Sequence, residues 1–562
     1  MKNTKNLILF LITINCCWSS LMVAQPVREE VVYYSDYVSS VDWSYLHGVA
    51  TSDNGLLLAE TAEYYNPGGL LYSKMNLTKR WGSFQTNFDF SNPIAVPDYT
   101  QSDKTTCLEA DGSGNYYAGG KYYYDNVYKH DAVLIKYNSS LVEVWRQYLY
   151  SGPSGGGTGP DDYTISVYAK GNKLYWLGYL GQTGYFLACY SDIGAQLFFT
   201  NVSTFTPQMV RVNASGDVYV LGSSTSGTNG SQVVLQKLNS SGVQVWKKTY
   251  NALAGLNADL PAHMEIDASG DIYFTAACER TVGNSDAMLV KYNSSGTRVW
   301  SKYINGSANS NDGAGKLCFD GSGNIVVAYT VLNSNLGVYN YDVCMRKYSP
   351  TGSTLATRYY KGSGNKHDSP ENIYFAPNGR FYLIAQTSVD NVTVKSVVAQ
   401  YDPSLNLEYT DVMTHSFNPY GFPDNVYIGV TTSVLDRSGM FLYWIGTKSS
   451  VTYAMGLDNI IAPFIIKYSL PVVPRMSESE STMEDSKLSL FPNPASDQVF
   501  INSKNEIRQL EVYDESGRLI WQEEDLGQNT QRLDIQLWRN GVYVVRVTDQ
   551  ENQVETSRLV KQ

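Results

Sequence analysis

The sequence predicts an all-β fold: an eight-bladed β-propeller closed by an N-terminal strand, followed by a small immunoglobulin-like β-sandwich. Three observations lead there. A short turn motif returns at near-constant spacing through most of the 562 residues. Tyr occurs 45 times and apolar residues make up 43% of the chain, a composition that suits pleated sheets better than helices. Finally, the last repeat lacks a strand that the start of the chain is placed to supply.

The first 24 residues have the order of a secretory signal: Lys2 and Lys5, the apolar run Leu7 to Ile14, then Met22-Val-Ala24, with cleavage expected after Ala24. That apolar run is too short to span a bilayer, and no later segment approaches the length a spanning helix needs.

Residues 25–470 repeat. One copy reads Met264-Glu-Ile-Asp-Ala-Ser-Gly-Asp-Ile-Tyr-Phe-Thr275, then Asp286-Ala-Met-Leu-Val-Lys-Tyr-Asn-Ser-Ser-Gly-Thr-Arg-Val-Trp300, and the same order returns from Val210 to Trp246. Turn glycines at 55, 114, 171, 216, 270, 323, 379 and 439 give a period of about 55 residues and eight units. Each unit holds four strands, as a blade requires. In the clearest copy these are Met264 to Asp267, Asp271 to Ala277, Ala287 to Tyr292 and Arg298 to Ile304. In Asp-x-Ser-Gly the Asp and Ser bond the turn backbone while Gly takes the left-handed position. The fourth-strand aromatics Trp81, Trp145, Phe198, Trp246, Trp300 and Tyr409 are expected between neighbouring blades.

The eighth unit reaches Phe464-Ile-Ile-Lys-Tyr468 and then Pro471, with no fourth strand. Val32 precedes Gly55 by the same 23 residues that separate Trp300 from Gly323, so Glu30 to Tyr34 holds a fourth-strand position without a blade of its own. Placing it in the last blade closes the ring and removes an open edge.

Residues 471–487 are polar and acidic around Met476 to Asp485, and are expected to form a flexible tether. Residues 488–562 then carry short β-branched and aromatic runs, Val499 to Ile501, Leu510 to Tyr513, Leu519 to Trp521 and Val542 to Val547, separated by Asp, Asn and Gly. This tail, with Pro492, Asn493, Pro494, Gly517, Gly541 and the terminal Lys561 in order, resembles the type A C-terminal sorting domain of the type IX secretion system of Bacteroidota. The resemblance implies export through that machinery, by way of the periplasm, to the medium or the outer-membrane surface. The repeats in turn resemble the SBBP-type propeller repeat of secreted bacterial proteins, with its Asp-x-Ser-Gly-Asn, Lys-Tyr and Asn-x-x-Gly pattern. That signature implies a fold and no activity.

The chemistry of the propeller is thinner. A net charge of −11 disfavours nucleic acid and anionic membrane as partners. Cys107, Cys189, Cys278, Cys318 and Cys344 remain after the signal is removed, an odd and scattered set that suits buried apolar positions better than disulfides or zinc. His47, His130, His263, His367 and His415 show no metal-ligand spacing; His47 and His263 lie near the starts of first strands, where they could face the channel mouth, although a packed structural role is the simpler reading. Nucleophile-elbow, phosphate-loop and zincin patterns are absent, so no catalytic residue is assigned. A sialidase-type turn is approximated at Asn293 to Trp300 without its Asp, and of the Arg residues a carboxylate clamp needs only Arg211 lies near a first strand.

One polar feature recurs. Asp42, Asp103, Asp162, Asp259, Asp312, Asp368 and Asp424 each precede a turn glycine by 9 to 15 residues, in the loop that enters the first strand. They read either as loop-fixing acceptors or as a carboxylate ring at the channel mouth suited to Ca²⁺ or a polyhydroxylated ligand. No other cofactor is expected. The functional expectation is a secreted or surface module that binds glycan, protein or cation; a polysaccharide-acting propeller enzyme and a structural adhesin are the alternatives.

Overall fold

The computed structural model describes residues 26–33, 41–52, 55–65, 71–80, 86–89, 104–123, 130–151, 161–226, 230–252, 257–335, 338–362, 367–388, 394–412, 426–436, 438–450, 460–470, 488–491, 498–514, 518–536, 538–539, 541–551 and 553–561. The expected signal peptide, the 471–487 tether and Pro492 to Pro494 lie outside them, as do Trp81, Asp103, His415, Asp424 and Gly517. Every described regular element is a strand, and no helix long and apolar enough to cross a membrane occurs among the described residues. The chain divides into two compact units, Met1–Arg475 and Met476–Gln562.

The first unit is a succession of antiparallel sheets resembling propeller blades. Val41–Ala50, Leu56–Tyr65, Leu71–Arg80 and Thr86–Asp89 form one four-stranded sheet, and the pattern repeats from Lys104 to Leu149, Tyr163 to Asn201, Thr206 to Tyr250, Leu260 to Ile304 and Gly313 to Tyr360. Asp368–Phe375, Phe381–Ser388, Val394–Tyr401 and Leu407–Val412 make another such ladder, joined by one parallel pair, Val394 with Tyr427, to a ladder of Val426–Leu435, Phe441–Ser450 and Ile460–Ser469. First strands of successive sheets lie side by side in chain order, and Val426–Leu435 comes back against Val41–Ala50. In the clearest repeat the strands are Leu260–Ile266, Ile272–Thr281, Asn284–Tyr292 and Arg298–Ile304.

Val27–Tyr33 pairs antiparallel with Ile460–Ser469. Its register repeats a detail of the other fourth strands. Six of those, all but Thr86–Asp89, shift by one residue just before the central pair, as between Tyr292–Arg298 and Lys291–Trp300, and Val27–Tyr33 shifts in the same way between Tyr468–Arg28 and Lys467–Glu30. Glu30, and not Val32, therefore stands where Trp300 stands.

The turns form as their residues dictate, with one correction. Gly114, Gly216, Gly270 and Gly323 have φ of +75° to +84°, the left-handed region that only Gly enters without strain. In the first unit the Thr51 N–H bonds the Gly55 carbonyl as the Asp111 N–H bonds that of Asn115, so Gly55 occupies the position after the turn glycine, one residue later than the sequence reading placed it. Gly171-Asn172 is a two-residue loop between Lys170 and Lys173, shorter than its counterparts.

Two features join neighbouring sheets. The Trp145 indole N–H donates to the Asp192 carbonyl of the following sheet, and a Cβ on Gly296 would meet Trp246 at 2.8 Å, so glycine is needed there for the ring to lie flat against the turn. The third-strand lysines, buried or half-buried, make the same connection: Lys136, Lys237, Lys291 and Lys347 each donate to a carbonyl of the next sheet's last turn, at 2.7–3.3 Å. The expectation for the fourth-strand aromatics thus holds at Trp145, Trp246 and Trp300.

The second unit is one hydrogen-bonded network of Leu488–Phe491, Gln498–Tyr513, Leu519–Asp534, Gly541–Asp549 and Val554–Lys561. Two runs expected as separate strands, Val499 to Ile501 and Leu510 to Tyr513, are one element, whose register breaks between Asn502 and Ile507. Val499, Ile501, Ile507, Leu510, Val512, Val545 and Leu559 form its core. Gly541 faces Lys561 across the last pair of strands.

Candidate functional site

The recurrent aspartates come first, because they were the predicted site. Asp162, Asp259, Asp312 and Asp368 are 4%, 0%, 4% and 2% exposed. Asp312 Oδ2 accepts the Gly306 N–H at 2.8 Å, just after the preceding sheet's fourth strand, and Oδ1 accepts the Leu332 N–H at 2.7 Å, in the second strand of its own sheet. Its own N–H donates to the Ser285 carbonyl of the preceding third strand. Asp259 repeats this with Ala252, Glu279 and Ser231, and Asp162 with Ser151, Gly181 and His130. Asp368 holds the Gly362 N–H at 2.8 Å. Each of these carboxylates staples two sheets together through backbone groups.

At these four positions the carboxylates are buried and accept backbone N–H groups, Asp368 through Oδ2 alone. Asp42 lies within the strand Val41–Ala50, opposite Glu63, and not in a preceding loop. Among the described residues no three of His, Cys, Asp and Glu are grouped so as to hold a metal ion. The five cysteines are free thiols, buried or half-buried.

Burial leaves its mark on the staples. It pushes Asp312 and Asp368 up to about 6, against the lowering effect of their N–H donors, and raises Asp259 as well. At the hairpin tips of Asp111 and Asp320 the balance is the opposite. At Asp320 the effect of burial is outweighed by Lys347 at 2.7 Å and by hydrogen bonds from Asn324, which hold the carboxyl below its ordinary range.

The first strands carry a different polar group. A cavity of about 180 Å³ opens among the ends of three of them, lined by Tyr168, Lys170, Arg211, Asn213, Glu265 and Asp267 with short apolar neighbours. The Arg211 guanidinium lies 5.3 Å from the Tyr168 ring centre and donates to Glu265 Oε1 through Nε and Nη2, at 3.3 and 3.2 Å. His263 Nε2 is 3.5 Å from the same carboxylate oxygen, while its Nδ1 accepts the Leu317 N–H at 3.3 Å. Burial, Arg211 and Lys316 together push His263 down to about 3, so it is a neutral imidazole at any physiological pH.

Arg211 connects this cavity to two further charged groups. Lys316 is lowered by burial and by repulsion from Arg211, which Glu371 only partly offsets. Glu371 is pushed up to about 7 by burial, despite Lys316 and a 2.8 Å hydrogen bond from Gln386. Among the described residues Lys316 has no hydrogen-bonded or ion-paired partner. His47, on its own first strand, has a buried Nε2 without a partner among the described residues and is pushed down to about 4 by burial.

Sequence reasoning placed His47, His263 and Arg211 on first strands and missed Tyr168, Glu265, Lys316 and Glu371. A signal was available. Glu109, Arg211 and Glu265 each stand five residues before their turn glycine, while Cys107, Met209, His263, Lys316 and Asn372 stand seven before theirs. Reading down those two columns, instead of searching for one residue type, picks out Arg211, Glu265, His263 and Lys316; Tyr168 escapes because its turn is shortened, and Glu371 because it sits in the register shift between Pro370 and Asn372.

Residues 489–562 match the family described as the secretion system C-terminal sorting domain, which bears out the reading of the tail and places the protein on an export route to the cell surface or the medium. No curated protein matches the chain. Among solved structures the chain is similar to PorZ, an essential surface component of the type IX secretion system of Porphyromonas gingivalis, at 12% identity over 92% of this chain and 70% of that one, with a TM-score of 0.35. It is also similar to the β-propeller domain of the Trilobed protease from Pyrococcus furiosus (7% identity, 62% and 92% covered, TM-score 0.35). A third is the WD40 domain of SCAP from fission yeast (8% identity, 78% and 98% covered, TM-score 0.39).

Proposed function

We propose that this protein is an extracellular binding module: an eight-bladed propeller of SBBP-type repeats, its last blade completed by the N-terminal strand, exported through the type IX machinery by an immunoglobulin-like tail at 488–562. The assigned limits are a signal peptide at 1–24, the propeller at 25–470 and a tether at 471–487. The observation that carries the binding role is the cavity at Tyr168, Arg211 and Glu265, where an aromatic ring, a guanidinium and a carboxylate converge on the first strands. Convergent polar groups beside an aromatic face are what small-ligand sites are built from. A glycan is the ligand class this lining suits best, ahead of a protein or a cation. A glycan array on the exported protein, compared with Tyr168→Ala, tests the reading: binding that falls at least tenfold in the variant supports it, and an array without hits sinks it.

A second reading is favoured by one observation. Glu371, held near neutrality beside Lys316, has the protonation behaviour of a general acid, which suits a polysaccharide-acting enzyme. New reducing ends or unsaturated sugars released from a polysaccharide panel, and lost in Glu371→Gln, would establish it. A structural adhesin predicts neither result.

A further inference from the structure

We infer that the protein carries a second binding site, for a neutral sugar, at the hairpin that joins Ile325–Asn335 to Val338–Tyr348. A cavity of about 290 Å³ opens there, lined by Ser307, Asn333, Ser334, Asn340, Tyr359 and Lys361. Asn213 and Asp267, which line the Tyr168 cavity, belong to turns between first and second strands, whereas this hairpin lies between a second strand and a third. Consecutive hairpins of a meander lie at opposite ends of its strands, so the two cavities are separate.

One carboxylate organises the polar wall. Asp342 is fully buried, and Asn340 nearly so. Asn340 Nδ2 donates to Asp342 Oδ1 at 2.6 Å, Asn333 Nδ2 donates to Oδ2 at 2.7 Å, and the Lys361 ammonium lies 3.2 Å from Oδ2. The Ser307 N–H donates to Asn333 Oδ1 and the Ser334 N–H to Ser307 Oγ, both at 3.0 Å, which ties the segment after the preceding fourth strand to the hairpin and preforms the wall. Carboxylate and ammonium offset each other at contact distance, leaving no net charge to attract an ion. What the wall offers is hydrogen bonding: each amide nitrogen has a second hydrogen, the ammonium has two more, and the serine hydroxyls both donate and accept. Sugar hydroxyls, which also do both, match that inventory.

The aromatic part of the site emerges from a comparison of repeats. Tyr359 stands opposite Cys344, two residues on from Asp342, as Tyr303 stands opposite Met288, two residues on from Asp286. In the earlier repeat Arg280 pairs with Asp286 at 3.2 Å, its guanidinium covers the Tyr303 ring at 4.1 Å, and the Tyr303 hydroxyl is bonded to that of Tyr250. In the later one Lys361 pairs with Asp342 but stands 6.0 Å from the Tyr359 ring centre, at the outer limit of such contacts, and Tyr359 is 50% exposed. The same arrangement thus leaves Tyr359 open where it covers Tyr303. The electron-rich face of such a ring suits the C–H face of a pyranose while the hydroxyls reach the amides. A volume just below the roughly 300–1,000 Å³ of small-ligand sites suits a short saccharide.

Calorimetry on the exported protein carrying Tyr168→Ala, which disables the first cavity, tests this with maltotriose, cellotriose, galactotriose and trigalacturonate. At least one neutral trisaccharide should bind, and adding Tyr359→Ala should weaken it about tenfold. Tyr359→Phe, which keeps the ring, should preserve the binding. Ser334→Trp, which fills the cavity from its wall, should abolish it and decides the matter if Tyr359→Ala fails to fold. Trigalacturonate should bind no more tightly than galactotriose, because the charges of the site are already paired. Failure of every neutral trisaccharide to bind, binding indifferent to Tyr359 and Ser334, or a preference for the acidic trimer overturns the second site and leaves the Tyr168 reading to its own glycan array.

Discussion

At the hairpin tips, Asp111 and Asp320 accept N–H groups from residues two and four positions ahead, so the backbone each carboxylate holds is that of its own turn, and their further partners, Tyr117 and Lys347, belong to the same sheet. At the joins between sheets, Asp259 and Asp312 accept N–H groups from segments seven residues behind and twenty ahead, or six behind and twenty ahead. The side chain and the type of bond are the same. Location decides the outcome: at the tips, neighbours outweigh burial and hold the carboxyls down, whereas at the joins burial outweighs the donors and pushes them up. The tips are local and replaceable; the joins couple neighbouring sheets.

Four experiments sharpen or break that contrast. The largest effect is expected at the join that uses the far end of the chain. Deleting Val27–Tyr33 exposes the edge of Ile460–Ser469, and the loss should reach several kcal/mol, comparable to a domain's whole margin. An unchanged thermal midpoint would mean that this strand adds nothing to the fold.

Next comes Asp312→Ala, which leaves the Gly306 and Leu332 N–H groups without acceptors in a buried setting and should cost about 3 kcal/mol by denaturant unfolding. Asp259→Ala should behave alike, and neither loss should depend on calcium. A calcium-dependent midpoint that these changes abolish would restore the metal ring.

The third test is pH. Asp312 and Asp368 have folded values near 6 against ordinary values of 3.8, so the folded state binds protons that the unfolded state does not between those limits. Stability should therefore rise as pH falls from about 6 to 4, by up to about 3 kcal/mol per group. Asp111 and Asp320 have lowered values, so their contribution is present above 3.8 and is lost only on further acidification. Asp312→Asn should flatten the upper part of the profile and Asp320→Asn the lower; a wild-type profile flat between pH 6 and 4 would refute the difference in burial.

The smallest effect is at a tip. Asp267→Ala removes acceptors for the Ser269 and Asp271 N–H groups, which water can replace, and should cost about 1 kcal/mol. A loss as large as that of Asp312→Ala would erase the distinction between tips and joins.

Much of this architecture was legible because it is periodic. The Asp-x-Ser-Gly turns, the strands of the Leu260 to Ile304 repeat and the spare N-terminal strand all announce themselves by spacing. What stayed hidden depends on where a side chain points. Asp312 and Asp320 lie eight residues apart and look alike in sequence, yet one joins sheets and the other orders a tip. Lys291 and Lys347 read as the polar half of a Lys-Tyr pair, while their ammonium groups are buried against Asp271 and Asp320 of their own sheets and donate into the next. The cavity was illegible for a further reason: its members belong to different repeats, and each column of the alignment contributes a different residue type.

The pairing of Val32 with Ile465 also governs the order in which the fold can be completed. Nearly the whole repeat region separates the two residues in the chain, so this contact carries the greatest closure entropy of any ladder in the unit. Val27–Tyr33 must wait for Ile460–Ser469 before it has a partner, and until then Ile460–Ser469 presents an open template to any extended peptide. Such long-range pairing makes for slow maturation. Closure of this ladder therefore trails the rest of the repeat region, and the edge of Ile460–Ser469 is the last to be covered.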